Sequence, residues 1–237
     1  MTGDEAVPPK LARPRLDSIH PRSDLLYLLD QLRAAPLIIV SGLSGAGKSE
    51  LVASYAQTRN LPSLWYEIDR HDADLVTFFG HFSAGTRQFV SLKRSDLPKP
   101  GFGCVNGETT AVRAYFSELF HCMFTPFLMV FDNFQEIPEE GQLHRVMRDA
   151  CAVLPPGGRI ILIARNEQPP VIAGLRANRS TVIVGWQELH LHPEKVKEVV
   201  ALQDLTLPAE DMANQLRRRV GPWAATLVMS LQAPRCP

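Results

Sequence analysis

The segment from Gly42 to Ser49 contains residue types that bind phosphate. It reads GLSGAGKS and satisfies the pattern G-x-x-x-x-G-K-[ST] in full. Glycines at positions 42, 45 and 47 allow successive backbone N–H groups to converge on an anion at the N-terminus of a following helix. In such a loop Lys48 would contact the β- and γ-phosphate oxygens, and the Ser49 hydroxyl would ligate Mg²⁺. The alternative is a glycine-rich turn that fits the pattern by chance.

The segments on either side of these glycines supply the context that the motif requires. An apolar run, PLIIVS (36–41), predicts a buried strand before the loop, and the stretch 48–59 predicts a helix after it. The residues of this loop predicted to contact a nucleotide are Gly42, Leu43, Ser44, Gly45, Ala46, Gly47, Lys48, Ser49 and Glu50.

A second candidate is the aspartate that closes the apolar run FLMVFD (127–132). A lone carboxylate at the end of a buried strand is where a Walker B aspartate holds the Mg²⁺ shell, usually through water. The alternative is an aspartate that begins the turn DNFQEIPEE. Because a phosphate loop lies upstream, we predict that Asp132 and Ser49 form the metal site.

The residues after Asp132 bear on whether a nucleotide is hydrolysed. Hydrolysis needs a group that orients or deprotonates water, commonly an acid directly after the metal-binding aspartate. Here that residue is Asn133, whose amide can position water but cannot accept its proton. Glu136 is the nearest carboxylate, three residues further on. We therefore predict slow or absent hydrolysis, with Lys48, Asn133 and Glu136 as catalytic candidates.

Arg165 closes another apolar run, RIILIAR (159–165). Ligands of open α/β folds bind at the carboxyl ends of the strands. If this strand lies between the two strands described above, Arg165 faces the γ-phosphate and could sense it or stabilise charge developing on it. The alternative is a surface arginine in a strand-to-loop turn.

The remaining elements alternate between strands and helices, which predicts an α/β fold with a parallel sheet covered on both faces. The predicted strands are 36–41, 63–68, 127–132, 159–165 and 181–185. The predicted helices are 25–35, 48–59, 73–90, 109–124, 141–153 and 171–177, and a long surface loop occupies 91–107. We divide the chain into an extended lead-in (1–22), a nucleotide-binding domain (23–188) and a small helical domain (189–237).

Composition excludes several classes of function. Among 237 residues, Lys+Arg and Asp+Glu both number 25, so no global charge attracts nucleic acid or an anionic membrane. The run Arg217–Arg219 is typical of a solvated helix end. No apolar run is long enough for a membrane span, and no secretory signal opens the chain. The 4 cysteines have irregular spacings, so we expect free thiols in the cytoplasm.

In combination these segments resemble the nucleotide-binding region of STAND-class P-loop ATPases, in the branch of MalT-like (LuxR-type) transcriptional regulators. The resemblance extends from about Lys10 to Gln232. The matching segments are LARPRL (11–16), GLSGAGKSELVASY (42–55), LWYEIDRHDAD (64–74), FDNFQEIP (131–138), ARNEQPP (164–170), LRANRS (175–180), GWQELHL (185–191) and GPWAATL (221–227). The Walker motifs alone are unspecific, but their order together with these segments is specific.

The resemblance implies a P-loop NTPase of the ASCE type, with a five-stranded parallel sheet in the order 5-1-4-3-2 and a small C-terminal helical appendage. It implies ATP and ADP as ligands with Mg²⁺, an ADP-bound resting state, and an ATP-bound state that self-associates or binds a protein partner. It also places Arg13 and Pro14 near the adenine, and Pro222 at a nucleotide contact of the helical domain.

The chain departs from this family at two points. Relatives often carry two acids at the end of the Walker B strand, whereas here Asn133 follows Asp132. Relatives also continue into helical repeats and a DNA-binding output domain, whereas this chain ends at Pro237. We therefore expect a switch module, truncated or stand-alone, that acts through partners and does not itself bind nucleic acid.

Two other functions remain open. A small-molecule kinase would use the same loop, with 91–107 as a pocket wall and Arg217–Arg219 as a lid, but no residue provides a base there. A degenerate domain that serves only as a protein-binding surface is the third possibility. The presence of Lys48, Ser49 and Asp132 argues against it.

Overall fold

Five buried strands form one parallel sheet at the centre of the molecule. A computed structural model describes residues 9–14, 16, 23–87, 96–165 and 181–189. The strands are β1 (Leu37–Ser41), β2 (Ser63–Glu67), β3 (Phe127–Asp132), β4 (Gly158–Ala164) and β5 (Thr181–Val184). Their order is β2-β3-β4-β1-β5, and every neighbouring pair is parallel. The predicted order 5-1-4-3-2 is the same sheet from the opposite edge and is confirmed.

Helices connect these strands. They are α1 (Ser23–Gln31), α2 (Lys48–Thr58), α3 (Leu75–Arg87), α4 (Phe102–Val105), α5 (Thr109–His121), α6 (Gln142–Ala152) and α7 (Trp186–Leu189). Single 3-10 turns occur at Pro9–Leu11, Leu32–Ala34, Arg70–Ala73 and Phe134–Glu136. The loop predicted for 91–107 therefore contains a helix, α4, which is too short to produce a periodic pattern in the sequence.

Three of the predicted regions fall largely outside the described residues, among them the lead-in (1–22), of which 9–14 and 16 are described. The helix predicted at 171–177 lies there entirely, as does the predicted small helical domain except for Leu189. The 3-10 turn at Pro9–Leu11 interrupts the lead-in that was predicted to be extended. Within the described residues, no helix is both long and apolar enough to cross a membrane.

The strands are apolar on both faces because helices cover both sides of the sheet. Alternate residues of β1 illustrate this, since Leu37 and Ile39 belong to the core under α3, α5 and α6. Ile38 and Val40 belong to the opposite core, under α1 and α2. The sheet is thus held from both sides, which fixes the positions of its strand ends.

Aromatic rings dominate the core under α3 and α5. Phe78 stacks on Phe82 with ring centroids 5.3 Å apart, and Phe82 stacks on Phe131 of β3 at 5.8 Å. Tyr66 of β2 contacts Phe78 edge-on at 5.5 Å. These rings are almost completely buried. They anchor α3 to β2 and β3, the two strands whose ends carry Glu67 and Asp132.

An ion pair attaches the lead-in to the sheet. The Lys10 ammonium lies 2.9 Å from the Asp69 carboxylate and 2.7 Å from Asp72, which is completely buried. The Tyr66 hydroxyl donates to the other oxygen of Asp72 at 2.7 Å. Leu11 packs against Gly85 of α3. The lead-in is therefore held beside β2, at one edge of the sheet.

Replacing Phe82 by alanine should strongly destabilise the fold, because it removes a buried ring from the aromatic cluster. We expect the free energy of unfolding to fall by about 3–5 kcal/mol, measured by urea denaturation of the full chain. Val76→Ala is the matched control, since Val76 lies on the same helix and is 60% exposed. Its loss should stay within about 0.5 kcal/mol. Equal losses for the two variants would contradict this description of the core.

Candidate functional site

The glycine loop between β1 and α2 has the backbone conformation that its sequence predicts. Gly45 and Gly47 have φ angles of 80° and 74°, in the left-handed region that side chains with a Cβ rarely adopt. The Gly42 N–H donates to Ala164 at the end of β4, at 3.3 Å. Leu43 and Ser44 are exposed at the tip of the loop. The loop thus opens to solvent at the carboxyl ends of the strands.

Gly42 is also restricted by a neighbour from the far end of the described chain. A Cβ at this position would lie 3.2 Å from the Leu189 side chain, closer than most such contacts. Leu189 ends α7 and is only 2% exposed, in the same core as Ala46 and Leu51. The first helical turn after β5 therefore packs directly on the glycine loop.

Lys48 begins α2 and folds back over the loop. Its ammonium group donates hydrogen bonds of 2.8 Å to the carbonyl oxygens of Gly42 and Leu43, and the residue is 8% exposed. Burial lowers the pKa of Lys48, the Asp132 carboxylate opposes this shift, and the Arg165 charge adds to it. The structure therefore brings Lys48, Asp132 and Arg165 close enough for their charges to interact.

Asp132 is the last residue of β3 and is 8% exposed. One of its carboxylate oxygens accepts the Asn133 backbone N–H at 2.8 Å. The partly buried Ser49 lies in the first turn of α2, next to Lys48. A carboxylate and a hydroxyl are hard oxygen donors that suit Mg²⁺. The described residues contain no group of three or more His, Cys, Asp or Glu placed to hold a metal ion, so such a cation would need phosphate and water as further ligands.

Asn133 adopts the left-handed conformation, with φ 58° and ψ 35°, at the turn after β3. Its side-chain amide donates to the Glu67 carboxylate at 3.2 Å. Glu67 ends β2 and pairs in register with Asp132. Sequence reasoning missed Glu67, although its place near the end of a predicted strand was a usable signal. Recognising it required knowing that β2 lies next to β3.

Gln135 connects the ends of β3 and β4. Its side-chain amide lies 3.3 Å from both the Asn133 and the Glu136 side-chain oxygens, and its own oxygen accepts the Arg165 backbone N–H at 3.0 Å. Glu136 and Arg165 are both exposed. The sequence-predicted residues Asn133, Glu136 and Arg165 are therefore brought together, through a glutamine that the sequence did not single out.

The predicted adenine contacts are not all located by the structure. The lead-in residues Lys10 and Leu11, just before Arg13 and Pro14, contact Asp69 and α3 beside β2. Because β2 is three strands away from β1, this edge is roughly 14 Å from the glycine loop at the usual strand spacing. Pro222 lies outside the described residues. The adenine roles of these residues stay predictions.

Comparison with known proteins agrees with this fold. The chain is 26% identical over 233 residues to the HTH-type transcriptional regulator MalT of Klebsiella pneumoniae. The alignment covers 93% of this chain and 24% of the relative, so the chain spans about a quarter of the curated relatives it matches. No family model matches the chain.

Among the solved structures that share its fold, two illustrate the similarity. One is a Signal Transduction ATPase with Numerous Domains (STAND) protein with a tetratricopeptide repeat sensor, from Pyrococcus horikoshii. Its TM-score is 0.61 and its sequence identity is 15%, and the alignment covers 95% of this chain and 31% of that chain. The other is AMPPCP-bound DnaA from Aquifex aeolicus, with a TM-score of 0.51 and 11% sequence identity. The alignment covers 97% of this chain and 68% of the DnaA chain. This chain has the P-loop ATPase fold found in STAND proteins, and its sequence is similar to that of the MalT-type transcriptional regulators.

Proposed function

We propose that the chain is an ATP- and ADP-binding regulatory switch module that hydrolyses ATP slowly or not at all. The observation that carries this proposal is the glycine loop after β1, over which the Lys48 ammonium folds, with Asp132 and Arg165 at the ends of β3 and β4 on the same edge of the sheet. Two cations and one carboxylate at the carboxyl ends of neighbouring strands suit a triphosphate with a bound cation. The AMPPCP in the structure of DnaA, a protein of the same fold, supports a nucleotide as the ligand.

The loop residues have defined tasks in this proposal. Backbone N–H groups of the loop and the N-terminus of α2 would bind the β-phosphate. The Lys48 ammonium, which donates to the Gly42 and Leu43 carbonyl oxygens, would donate instead to the β- and γ-phosphate oxygens. Arg165 would contact the γ-phosphate and report the presence of the third phosphate group.

We propose Mg²⁺ as the metal, held by Ser49 directly and by Asp132 through water. When bound, this ion would neutralise phosphate charge. Asp132 is nearly buried, so its charge is poorly screened and is directed at the site. The Asn133 backbone N–H fixes the orientation of this carboxylate, which keeps it in place for a cation.

Slow turnover follows from Asn133, which has no proton-accepting group of its own. A module that holds ATP for long periods can present two states, with and without the γ-phosphate. Similarity to a transcriptional regulator and to a STAND protein supports a role in regulation or signal transduction. We propose that the ATP state self-associates or binds a protein partner, without direct nucleic-acid or membrane contact, in the cytoplasm.

A small-molecule kinase remains the alternative, and the position of one cavity among the described residues disfavours it. A cavity of about 560 Å³ lies between residues 96–98 and the final turn of α5. This turn precedes the start of β3 in the chain, so the cavity is at the amino ends of the strands. Lys48 and Asp132 are at the carboxyl ends, roughly 15–20 Å away along a strand of this length. An acceptor bound there would not reach the γ-phosphate.

Nucleotide binding and phosphate release can be measured on the same protein. After removal of any bound nucleotide, we expect the full chain to bind ATP and ADP with Mg²⁺ in calorimetry. Phosphate release from radiolabelled ATP should be slow and independent of added hydroxyl acceptors. Acceptor-dependent phosphate transfer would favour the kinase instead. Absence of nucleotide binding would leave only a protein-binding surface.

Replacing Lys48 by alanine should weaken ATP binding by tenfold or more, which corresponds to about 1.4 kcal/mol. The physical reason is the loss of charge-assisted hydrogen bonds to phosphate oxygens. Lys99→Ala is the matched control, because Lys99 is an exposed lysine outside the glycine loop. Circular dichroism of both variants checks that the fold is retained. Unchanged affinity in a folded Lys48→Ala protein would refute the phosphate role.

A further inference from the structure

Glu67 lies beside the proposed metal site, although it is distant in sequence. It is paired in register with Asp132, and the N–H of the next residue, Ile68, donates to the Asp132 carbonyl at 2.9 Å. The backbones of β2 and β3 are therefore joined up to their last residues. Glu67 is exposed, so its carboxylate is accessible to water at the same end of the sheet as the glycine loop.

The side chain of Asn133 turns back toward this carboxylate. Asn133 is in the left-handed region, which asparagine tolerates better than most residues with a side chain. Its amide nitrogen donates to Glu67 at 3.2 Å, and its amide oxygen lies 3.3 Å from the Gln135 side-chain nitrogen. Both ends of the amide are engaged, so the orientation of Asn133 is fixed. Through Gln135 the same chain of contacts continues to the Arg165 backbone.

We propose that Glu67 supplies the second, proton-accepting carboxylate that Asn133 cannot provide after Asp132, and that Asn133 is the residue that positions Glu67. Glu67 accepts the proton of the water whose oxygen attacks the γ-phosphorus. The bond between that phosphorus and the β–γ bridging oxygen breaks, and ADP leaves with the bonding electron pair. The proton then passes from Glu67 to solvent. This inference rests on the proposed function. Of the two possibilities stated there, slow ATP hydrolysis and no ATP hydrolysis, it favours slow hydrolysis.

Glu67 is better placed to accept the proton than Glu136. Glu136 is the first carboxylate that follows Asp132 in the sequence. Ladder hydrogen bonds hold Glu67 at the end of a strand, next to the strand that carries Asp132. Glu136 ends a 3-10 turn, and its described contact is with the neighbouring Gln135. Groups on strands are held more rigidly than groups on loops, so the geometry favours Glu67.

The distinguishing variant is Glu67→Gln, which keeps an oxygen that can accept the Asn133 hydrogen bond but cannot take a proton at neutral pH. In single-turnover assays with the full chain, radiolabelled ATP and Mg²⁺, phosphate release should slow by roughly 100-fold. The ATP dissociation constant should stay within about twofold of the unmodified protein, because Glu67 is not a proposed binding group. The exposed carboxylate of Glu140 provides the matched control, and Glu140→Gln should leave both values unchanged.

A second variant distinguishes proton acceptance from a structural role. Adding Asn133→Asp to Glu67→Gln returns a carboxylate to the water site from β3, so phosphate release should recover at least tenfold over Glu67→Gln alone. A purely structural Glu67 would not be rescued in this way. The inference is overturned if the unmodified chain binds ATP but releases no phosphate. It is also overturned if the Glu67→Gln variant releases phosphate as fast as the unmodified chain, or if adding Asn133→Asp to Glu67→Gln does not restore phosphate release. Absence of ATP binding would instead overturn the proposed function.

Discussion

The parallel direction of all five strands is the constraint on which the site depends. Because the strands run the same way, their carboxyl ends meet at one edge, and four of them contribute their last or next residue to the site. Gly42 follows β1, Asp132 ends β3, Arg165 follows β4 and Glu67 ends β2. The position of β4 between β1 and β3 sets the spacing between the loop and the carboxylate. Packing on both faces makes this edge rigid.

Charge compensation allows the central groups of the site to be buried. An isolated ammonium or carboxylate inside a protein is costly, and its pKa shifts toward the neutral form. Lys48 shows this effect, since burial lowers its pKa while the Asp132 carboxylate opposes the shift. The two carbonyl oxygens that accept from its ammonium reduce the cost further. The Asp132 carboxylate thus favours the charged form of Lys48.

Sequence reasoning predicted the strands, the glycine loop and the residues Lys48, Asp132 and Arg165, because each belongs to a local pattern. Continuous apolar runs identify buried strands, and a polar residue at the end of a run identifies the edge of the sheet. It missed Glu67 and Gln135, whose importance depends on contacts across strands. Glu67 and Asn133 are 66 positions apart. Lys10 and Asp69 are 59 positions apart, so the hydrophobic pattern of the sequence could not predict their ion pair either.

The contact between Leu189 and Gly42 has a mechanical consequence. Gly42 is the first residue of the loop after β1, and a Cβ at this position would lie 3.2 Å from the Leu189 side chain. Leu189 also packs into the core under α2, so it cannot move without disturbing that core. Leu189 therefore contacts the loop and this core at the same time. The position of the end of α7 is therefore set by the glycine loop as well as by the core under α2.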